Sequence, residues 1–304
     1  NGPEALSKIS MVGRDMALSF TSLTSTKQLS RADTDVLLAE AAKMEKILEK
    51  GGDESLKGKI LASLFYEPST RTRLSFESAM MRLGGSVITA DGIQFSSLYK
   101  GESIEDTMKM VEQYADIIAM RHPEQGSADK AAAASSVPFI NAGDGPGQHP
   151  TQALLDLYTI AKECGKVEGI SIAMVGDLKF GRTVHSLSFL LGLFPGVTFK
   201  FLAPAELAMP EKVTSFLDEK KLTYESIASL EEAMQCDVLY MTRIQQERFT
   251  DRAEYERLKN SFCLTADQVK SGKAVILHPL PRLQEIATDV DALPKAAYFR
   301  QAGN

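Results

Sequence analysis

The chain has 304 residues, of which 44% are hydrophobic and 24% are charged, and its formal net charge is −6. This is the composition of an ordinary globular protein, and the length predicts two domains. The negative charge argues against nucleic-acid binding, which needs a basic face. No apolar run reaches the roughly 18 residues of a transmembrane helix, and no signal peptide is visible, so we expect no membrane association.

Helices and strands alternate along the first half of the chain. A helix is predicted over residues 30–49, with apolar residues at helical spacing and Ser30 as its N-cap. Strands are then predicted at 60–65, 86–89, 116–120 and 139–141, and helices at 74–83, 104–114 and 129–135. We assign this first α/β unit to residues 1–150.

A second unit follows the predicted helix at 151–164. Its strands are predicted at 170–175, 197–202, 223–227, 238–241 and 274–277, with helices at 210–219 and 230–235. Alternation of this kind implies parallel sheets with right-handed crossovers. We therefore expect an α/β fold with two domains, each a parallel sheet flanked by helices, and a cleft between them.

Polar and cationic groups follow four of the predicted strands. In open α/β sheets this is the edge at which ligands bind. The first group begins a helix, where unpaired backbone N–H groups, hydroxyls and arginines suit a phosphorylated small substrate. The four segments are Ser69-Thr70-Arg71-Thr72-Arg73, Met120-Arg121-His122-Pro123, the run 141–152 with His149-Pro150-Thr151-Gln152, and His278-Pro279-Leu280-Pro281-Arg282.

Nucleotide and metal sites are not expected. The turn at residues 176–181 lacks the G-x-G-x-x-G spacing, and no P-loop sequence occurs. Cys164, Cys236 and Cys263 are far apart and form no C-x-x-C pattern. We interpret them as reduced structural thiols of a cytoplasmic protein, and we expect no cofactor.

From about Lys57 to its last residue, the chain resembles the catalytic chains of the aspartate carbamoyltransferases. The resemblance includes the four segments above, together with Gly181-Arg182-Thr183-Val184-His185 and Met241-Thr242-Arg243-Ile244-Gln245. The first and third of the four segments are shared with ornithine carbamoyltransferases. Those enzymes typically carry H-C-L-P in the late motif and an S-M-G loop, and this chain has neither.

The resemblance implies transfer of the carbamoyl group from carbamoyl phosphate to the amino group of L-aspartate, with the site in the interdomain cleft and at a subunit interface. The implied phosphate ligands are Ser69, Thr70, Arg71, Thr72 and Arg121. The carbamoyl group would be held by Arg121, His149, Gln152, Leu280 and Pro281. Aspartate would be bound by Lys100, Arg182, Arg243 and Gln245. Among these, the implied catalytic residues are His149, Arg71, Arg121 and Lys100.

The resemblance also implies a homotrimer in which Ser97 and Lys100 reach a neighbouring subunit's site, although Tyr99 and a loop one residue shorter depart from the family pattern. A regulatory or multienzyme partner stays open. We expect residues 151–287 to bind aspartate and residues 288–304 to return to the first domain. Because the family usually continues with an apolar helix, and because Asn1 replaces a starting Met, we interpret the chain as truncated or incomplete.

Several nearby residues have simpler interpretations. His185 is expected to be structural, and Arg73 and Arg282 are expected to brace loops or to pair with Glu67 and Glu77. Two alternatives to the implied activity stay open: a carbamoyltransferase for another amino acid acceptor, and a non-catalytic homologue that binds carbamoyl phosphate.

Overall fold

A parallel sheet forms the centre of each of two units in the computed structural model, which describes residues 17–92, 100–246 and 249–304. The division falls between Thr151 and Gln152. The prediction of two α/β domains with parallel sheets is confirmed. In the described part of the chain, no helix is long and apolar enough to span a membrane.

The first unit contains a four-stranded sheet in the order β2-β1-β3-β4, with every pairing parallel. Its core is formed by apolar residues of β1, β3, β4 and the helices beside them, including Met108, Ile118 and Phe139. The elements are α1 (Arg31–Glu49), β1 (Ile60–Phe65), α2 (Thr70–Arg82), β2 (Ser86–Asp91), α3 (Ile104–Val111), β3 (Ile117–His122), α4 (Ser127–Ala134), β4 (Phe139–Asp144) and the start of α5 (Pro150–Cys164).

The second unit contains a five-stranded parallel sheet in the order β7-β6-β5-β8-β9. Its largest core packs β5, β8 and β9 against the later helices. The elements are β5 (Ser171–Val175), α6 (Arg182–Leu191), β6 (Thr198–Leu202), α7 (Glu211–Glu219), β7 (Thr223–Ser226), α8 (Leu230–Ala233), β8 (Val238–Met241), α9 (Arg252–Leu258), α10 (Ala266–Ser271), β9 (Val275–Leu277) and α11 (Tyr298–Gly303).

The last residues belong to the second unit, which differs from the expectation that 288–304 return to the first. Ile276 of β9 exchanges backbone hydrogen bonds with the segment before α11, at 2.8 Å to the Lys295 carbonyl and 2.9 Å from the Ala297 amide. Tyr298 is fully buried in the core of the second unit. These contacts fix the segment to the edge of the second sheet.

Candidate active site

Two of the predicted phosphate ligands meet at the carboxyl edge of the first sheet. β1 and β3 are neighbours, and Phe65 lies beside Arg121 in their register. The Arg121 side chain is largely buried; its Nε donates to Glu67 Oε2 at 3.0 Å and its Nη1 to Ser69 Oγ at 3.2 Å. The structure therefore holds a guanidinium directly beside the start of α2.

The N-terminus of α2 has the geometry of an anion site. Ser69 is its N-cap in extended conformation, and its side chain makes no capping hydrogen bond. Thr70 and Arg71 are exposed on the first turn, and Thr72 is half-buried. Because the first N–H groups of a helix lack intrahelical partners, they and the dipole favour an anion there.

Arg73 points to a different role. Its guanidinium forms ion pairs with Asp91 and, at 3.7 Å, with Glu77. Glu77 also accepts hydrogen bonds from Ser63 at 2.9 Å and Thr89 at 3.0 Å. Arg73 therefore ties α2 to the strands beneath it, in agreement with the bracing role expected from the sequence.

The tight turn that follows β4 contacts the end of β3 and leads to His149. The Gly145 amide donates to the His122 carbonyl at 2.8 Å, and Gly145 has a positive φ of 53°. A Cβ at Gly145 would lie 2.0 Å from the Pro123 carbonyl oxygen, so only glycine fits. His149 follows this turn and is buried.

Asp144 was not predicted from the sequence, yet it organises this turn. Its carboxylate accepts from the backbone amides of Gly126 at 2.9 Å and Gln148 at 2.5 Å, and from the Asn141 side chain at 3.3 Å. The signal was the N-A-G-D-G-P-G run, in which an aspartate between glycines commonly bonds nearby backbone amides. Asp144 therefore fixes the approach to His149.

The predicted aspartate ligands of the second unit follow two adjacent strands. Arg182 is the first residue of α6 after β5, whereas Arg243 and Gln245 follow β8, which pairs directly with β5. Both arginines are partly buried. Parallel neighbouring strands bring these side chains to the same sheet edge.

The loops after β5 and β8 are in close contact. The Asp177 amide donates to Thr242 Oγ1 at 3.0 Å. Gly176 has φ of 116°, and a Cβ there would lie 2.2 Å from the Thr242 carbonyl oxygen. Burial raises the pKa of Asp177, although hydrogen bonds from the Phe180 amide and from Gln245 act in the opposite direction. This contact sets the spacing between the two loops.

A buried histidine shapes the loop after β9. The Leu280 amide donates to His278 Nδ1 at 2.8 Å, so Nε2 carries the proton and donates to Glu285 Oε1 at 2.8 Å. Burial lowers the pKa of His278. Leu280 itself has φ of 55°, and the Leu280–Pro281 bond is cis. The backbone of Leu280 and Pro281, which is predicted to bind the carbamoyl group, is thus held by a hydrogen bond to a buried side chain.

Arg282 and His185 are structural in this fold. Arg282 pairs with Asp291, with one contact at 2.6 Å, and its Nη1 donates to the Tyr298 hydroxyl at 3.0 Å. It therefore braces the loop, though with Asp291 and not with Glu67 or Glu77. His185 is buried with Nε2 2.7 Å from the Leu178 carbonyl, and burial lowers its pKa to about 4. It remains neutral near pH 7.

Two of the remaining sequence predictions concern the loop before α3. Lys100 is exposed there, whereas Ser97 lies outside the described residues.

Among the described residues, no group of three or more His, Cys, Asp or Glu side chains could hold a metal ion. Two cavities of about 190 and 200 Å³ in the second unit are lined by none of the predicted substrate ligands.

Comparisons with known proteins cover nearly the whole chain. Residues 21–162 match the carbamoyl-phosphate-binding domain of aspartate/ornithine carbamoyltransferases, and residues 168–304 match the Asp/Orn-binding domain. The aspartate carbamoyltransferase catalytic subunit of Leptospira biflexa is 51% identical, over 94% of this chain and 93% of that protein.

Solved structures of similar proteins agree. The catalytic subunit of Methanocaldococcus jannaschii aspartate transcarbamoylase has 51% identity and a TM-score of 0.88, covering 93% of this chain and 94% of that one. The Trypanosoma cruzi aspartate transcarbamoylase, solved with carbamoyl phosphate and aspartate, has 42% identity and a TM-score of 0.86, covering 93% and 92%.

Proposed function

Because this chain belongs to the aspartate/ornithine carbamoyltransferase family, we propose that it transfers the carbamoyl group of carbamoyl phosphate to the amino group of L-aspartate. The products are N-carbamoyl-L-aspartate and phosphate. The observation that carries the choice of acceptor is the position of Arg182 and Arg243 after the adjacent strands β5 and β8. Two guanidinium forks at one sheet edge suit the two carboxylates of aspartate.

The chemistry requires charge stabilisation more than a covalent nucleophile. The neutral amine attacks the carbonyl carbon, a C–N bond forms, an oxyanion develops, and the C–O bond to phosphate breaks. The amine then loses a proton, which the departing phosphate can accept. Positioning and electrostatic stabilisation are the main contributions that an enzyme can make to such a step.

We assign the phosphate to the start of α2. Ser69, Thr70, Arg71 and Thr72 supply hydroxyls, backbone N–H groups and a guanidinium at this helix end. Arg121 contacts Ser69 at 3.2 Å, which supports its role beside the phosphate. In this assignment Arg121 also reaches the carbonyl oxygen, and His149 donates a hydrogen bond to that oxygen as charge accumulates.

The carbamoyl NH2 needs acceptors, because it is a neutral donor. We assign this role to the Gln152 side chain and to the backbone carbonyls of Leu280 and Pro281. Support comes from the hydrogen bond between the Leu280 amide and His278, which holds this backbone in place. Gln245 and Lys100 would complete the aspartate site beside Arg182 and Arg243.

We further propose a homotrimer in which Ser97 and Lys100 serve a neighbouring subunit. The surface of the first unit supports association with further copies. Met80 is the only fully buried residue of α2, whereas Leu74 and Met81 are 52% and 65% exposed. The adjacent edge strand β2 has no fully buried residue. Exposed apolar side chains beside an unpaired sheet edge are typical of an interface.

The three free cysteines fit an enzyme of the cytoplasm, where thiols stay reduced. We propose that the chain acts there in pyrimidine biosynthesis, because the product of the proposed reaction, carbamoyl aspartate, is a precursor of pyrimidines.

A carbamoyl-transfer assay tests the acceptor assignment. Wild-type protein is given carbamoyl phosphate with L-aspartate or L-ornithine in parallel, beside Arg243→Ala. We expect product from aspartate alone and a loss of at least about 100-fold in the variant, since a partly buried charged contact to substrate is removed. Arg257→Ala is the matched control, because Arg257 forms an exposed ion pair with Glu206 and should retain activity.

Product from ornithine, or activity that survives Arg243→Ala, would contradict the acceptor assignment and favour a carbamoyltransferase for another amino acid. Binding of carbamoyl phosphate without product from either acceptor would favour the non-catalytic homologue.

A further inference from the structure

Asp156 lies at the centre of a buried hydrogen-bond network in the second unit. It is fully buried on α5, and its carboxylate accepts from three neutral donors. Oδ1 receives Gln152 Nε2 at 2.8 Å and Gln301 Nε2 at 2.6 Å, while Oδ2 receives the Tyr240 hydroxyl at 2.7 Å. Burying a carboxylate is costly, and burial raises its pKa to about 7. Because the fold keeps this carboxyl buried despite the cost, we expect the group to have a specific role.

One branch of the network orients Gln152. Asp156 lies one helical turn after Gln152, so the two side chains share a face of α5. Because Asp156 holds the amide NH2 of Gln152, the end of that amide left for a ligand is its carbonyl oxygen. A carbonyl oxygen is an acceptor and suits the N–H of a carbamoyl group.

The second branch reaches the loop after β9. Gln301 uses its NH2 on Asp156 and its Oε1 to accept from the His278 backbone amide at 2.8 Å. His278 in turn accepts from the Leu280 amide at 2.8 Å. A chain of three hydrogen bonds therefore connects Asp156 to the backbone whose carbonyls we assign to the carbamoyl group.

We propose that Asp156 is a positioning residue that sets the preference for carbamoyl phosphate over acyl phosphates without an N–H donor, by orienting Gln152 and the Leu280 backbone together. This inference rests on the proposed function. It predicts an effect on recognition of the carbamoyl NH2 and none on recognition of the phosphate, because both branches end at acceptors for that NH2.

Acetyl phosphate is the discriminating probe, since a methyl group replaces the NH2. For wild type and Asp156→Ala, we would measure kcat/KM for carbamoyl phosphate with L-aspartate, and the inhibition constant of acetyl phosphate. Asp156→Ala should lower kcat/KM by about 10- to 100-fold, because misplaced acceptors lose contacts with the NH2. The acetyl phosphate inhibition constant should stay within about threefold. A general loss of packing would weaken both ligands.

One variant serves as a control. Asp156→Asn can keep its oxygen at the Oδ1 position for both glutamines and donate to Tyr240, so it should retain most of the preference for carbamoyl phosphate.

Gln301→Met cuts the second branch at similar volume and keeps the test possible if Asp156→Ala does not fold. It should reduce the preference for carbamoyl phosphate. An unchanged preference in Asp156→Ala or in Gln301→Met, or a lost preference in Asp156→Asn, would overturn the inference. A wild-type protein that forms no carbamoyl aspartate would instead overturn the proposed function, and these two results are distinct.

Discussion

The ionisation of Asp156 should make the protein less stable as pH rises. Burial raises the pKa of this carboxyl from 3.8 to about 7, so between these values the folded state binds more protons than the unfolded state. The free energy of unfolding then falls with pH. The contribution of Asp156 to stability is fully present below the pKa that it has in the unfolded state, and it is lost as pH rises through the pKa that it has in the folded state.

The size of this effect follows from the difference between the two pKa values, which corresponds to about 4 kcal/mol once the carboxyl is ionised. About 2 to 3 kcal/mol of it falls between roughly pH 5 and pH 8. Asp156→Asn cannot ionise and is close in shape, so its stability should lack this component. Urea unfolding of both proteins at the two pH values gives the double difference, in which other titrating groups cancel.

We expect the wild type to lose about 2 to 3 kcal/mol relative to Asp156→Asn between roughly pH 5 and pH 8. Parallel pH dependences, within about 0.5 kcal/mol, would refute the reasoning, because they would mean that Asp156 titrates alike in the folded and unfolded states.

Two further predictions concern the loops at the sheet edges. Gly176→Ala should lower the free energy of unfolding, measured in urea, by at least about 3 kcal/mol and abolish carbamoyl transfer, because its Cβ would lie 2.2 Å from the Thr242 carbonyl oxygen. Gly126 also has a positive φ, of 83°, but no atom lies within 4 Å of the new Cβ, so Gly126→Ala should lower the free energy of unfolding by only about 1 kcal/mol. Equal losses in the two variants would contradict this. Glu285→Ala should cost about 2 to 4 kcal/mol, because it leaves the His278 Nε2–H without its acceptor; Glu285→Gln should recover most of this, and a failure to do so would argue for the charge over the hydrogen bond.

The sequence was sufficient where local patterns are strong. β1 and β8 have the bounds predicted for them, because short apolar runs end at clear turn residues. α2 begins at Thr70, earlier than predicted, since its first turn is polar and resembles a loop. α6 was not predicted as a helix because eight of its ten residues, from Val184 to Leu191, are buried. Its buried residues include His185, Ser186 and Ser188, so the polar residues in its sequence do not mark an exposed face.

Long-range side-chain contacts were beyond the reach of the sequence. Asp156 looks like an ordinary polar residue of a predicted helix, yet its partners Tyr240 and Gln301 are 84 and 145 residues away in the chain. Strand order decides such contacts, and helical or strand periodicity does not specify strand order.

A protein with a net charge of −6 must bind an anionic substrate through local cations, because its overall field repels that substrate. Arg121 shows how this is compatible with a neighbouring carboxylate. Its guanidinium has five N–H donors, and the contacts with Glu67 and Ser69 use two of them. The side chain can therefore keep both contacts while it presents other donors to a phosphate. Since a free arginine side chain carries about 2 kcal/mol of rotamer entropy, anchoring by Glu67 reduces the cost of ordering it when the substrate binds. On this reasoning Glu67 offsets part of the repulsion that its own negative charge adds, because it orders the Arg121 side chain before the phosphate arrives.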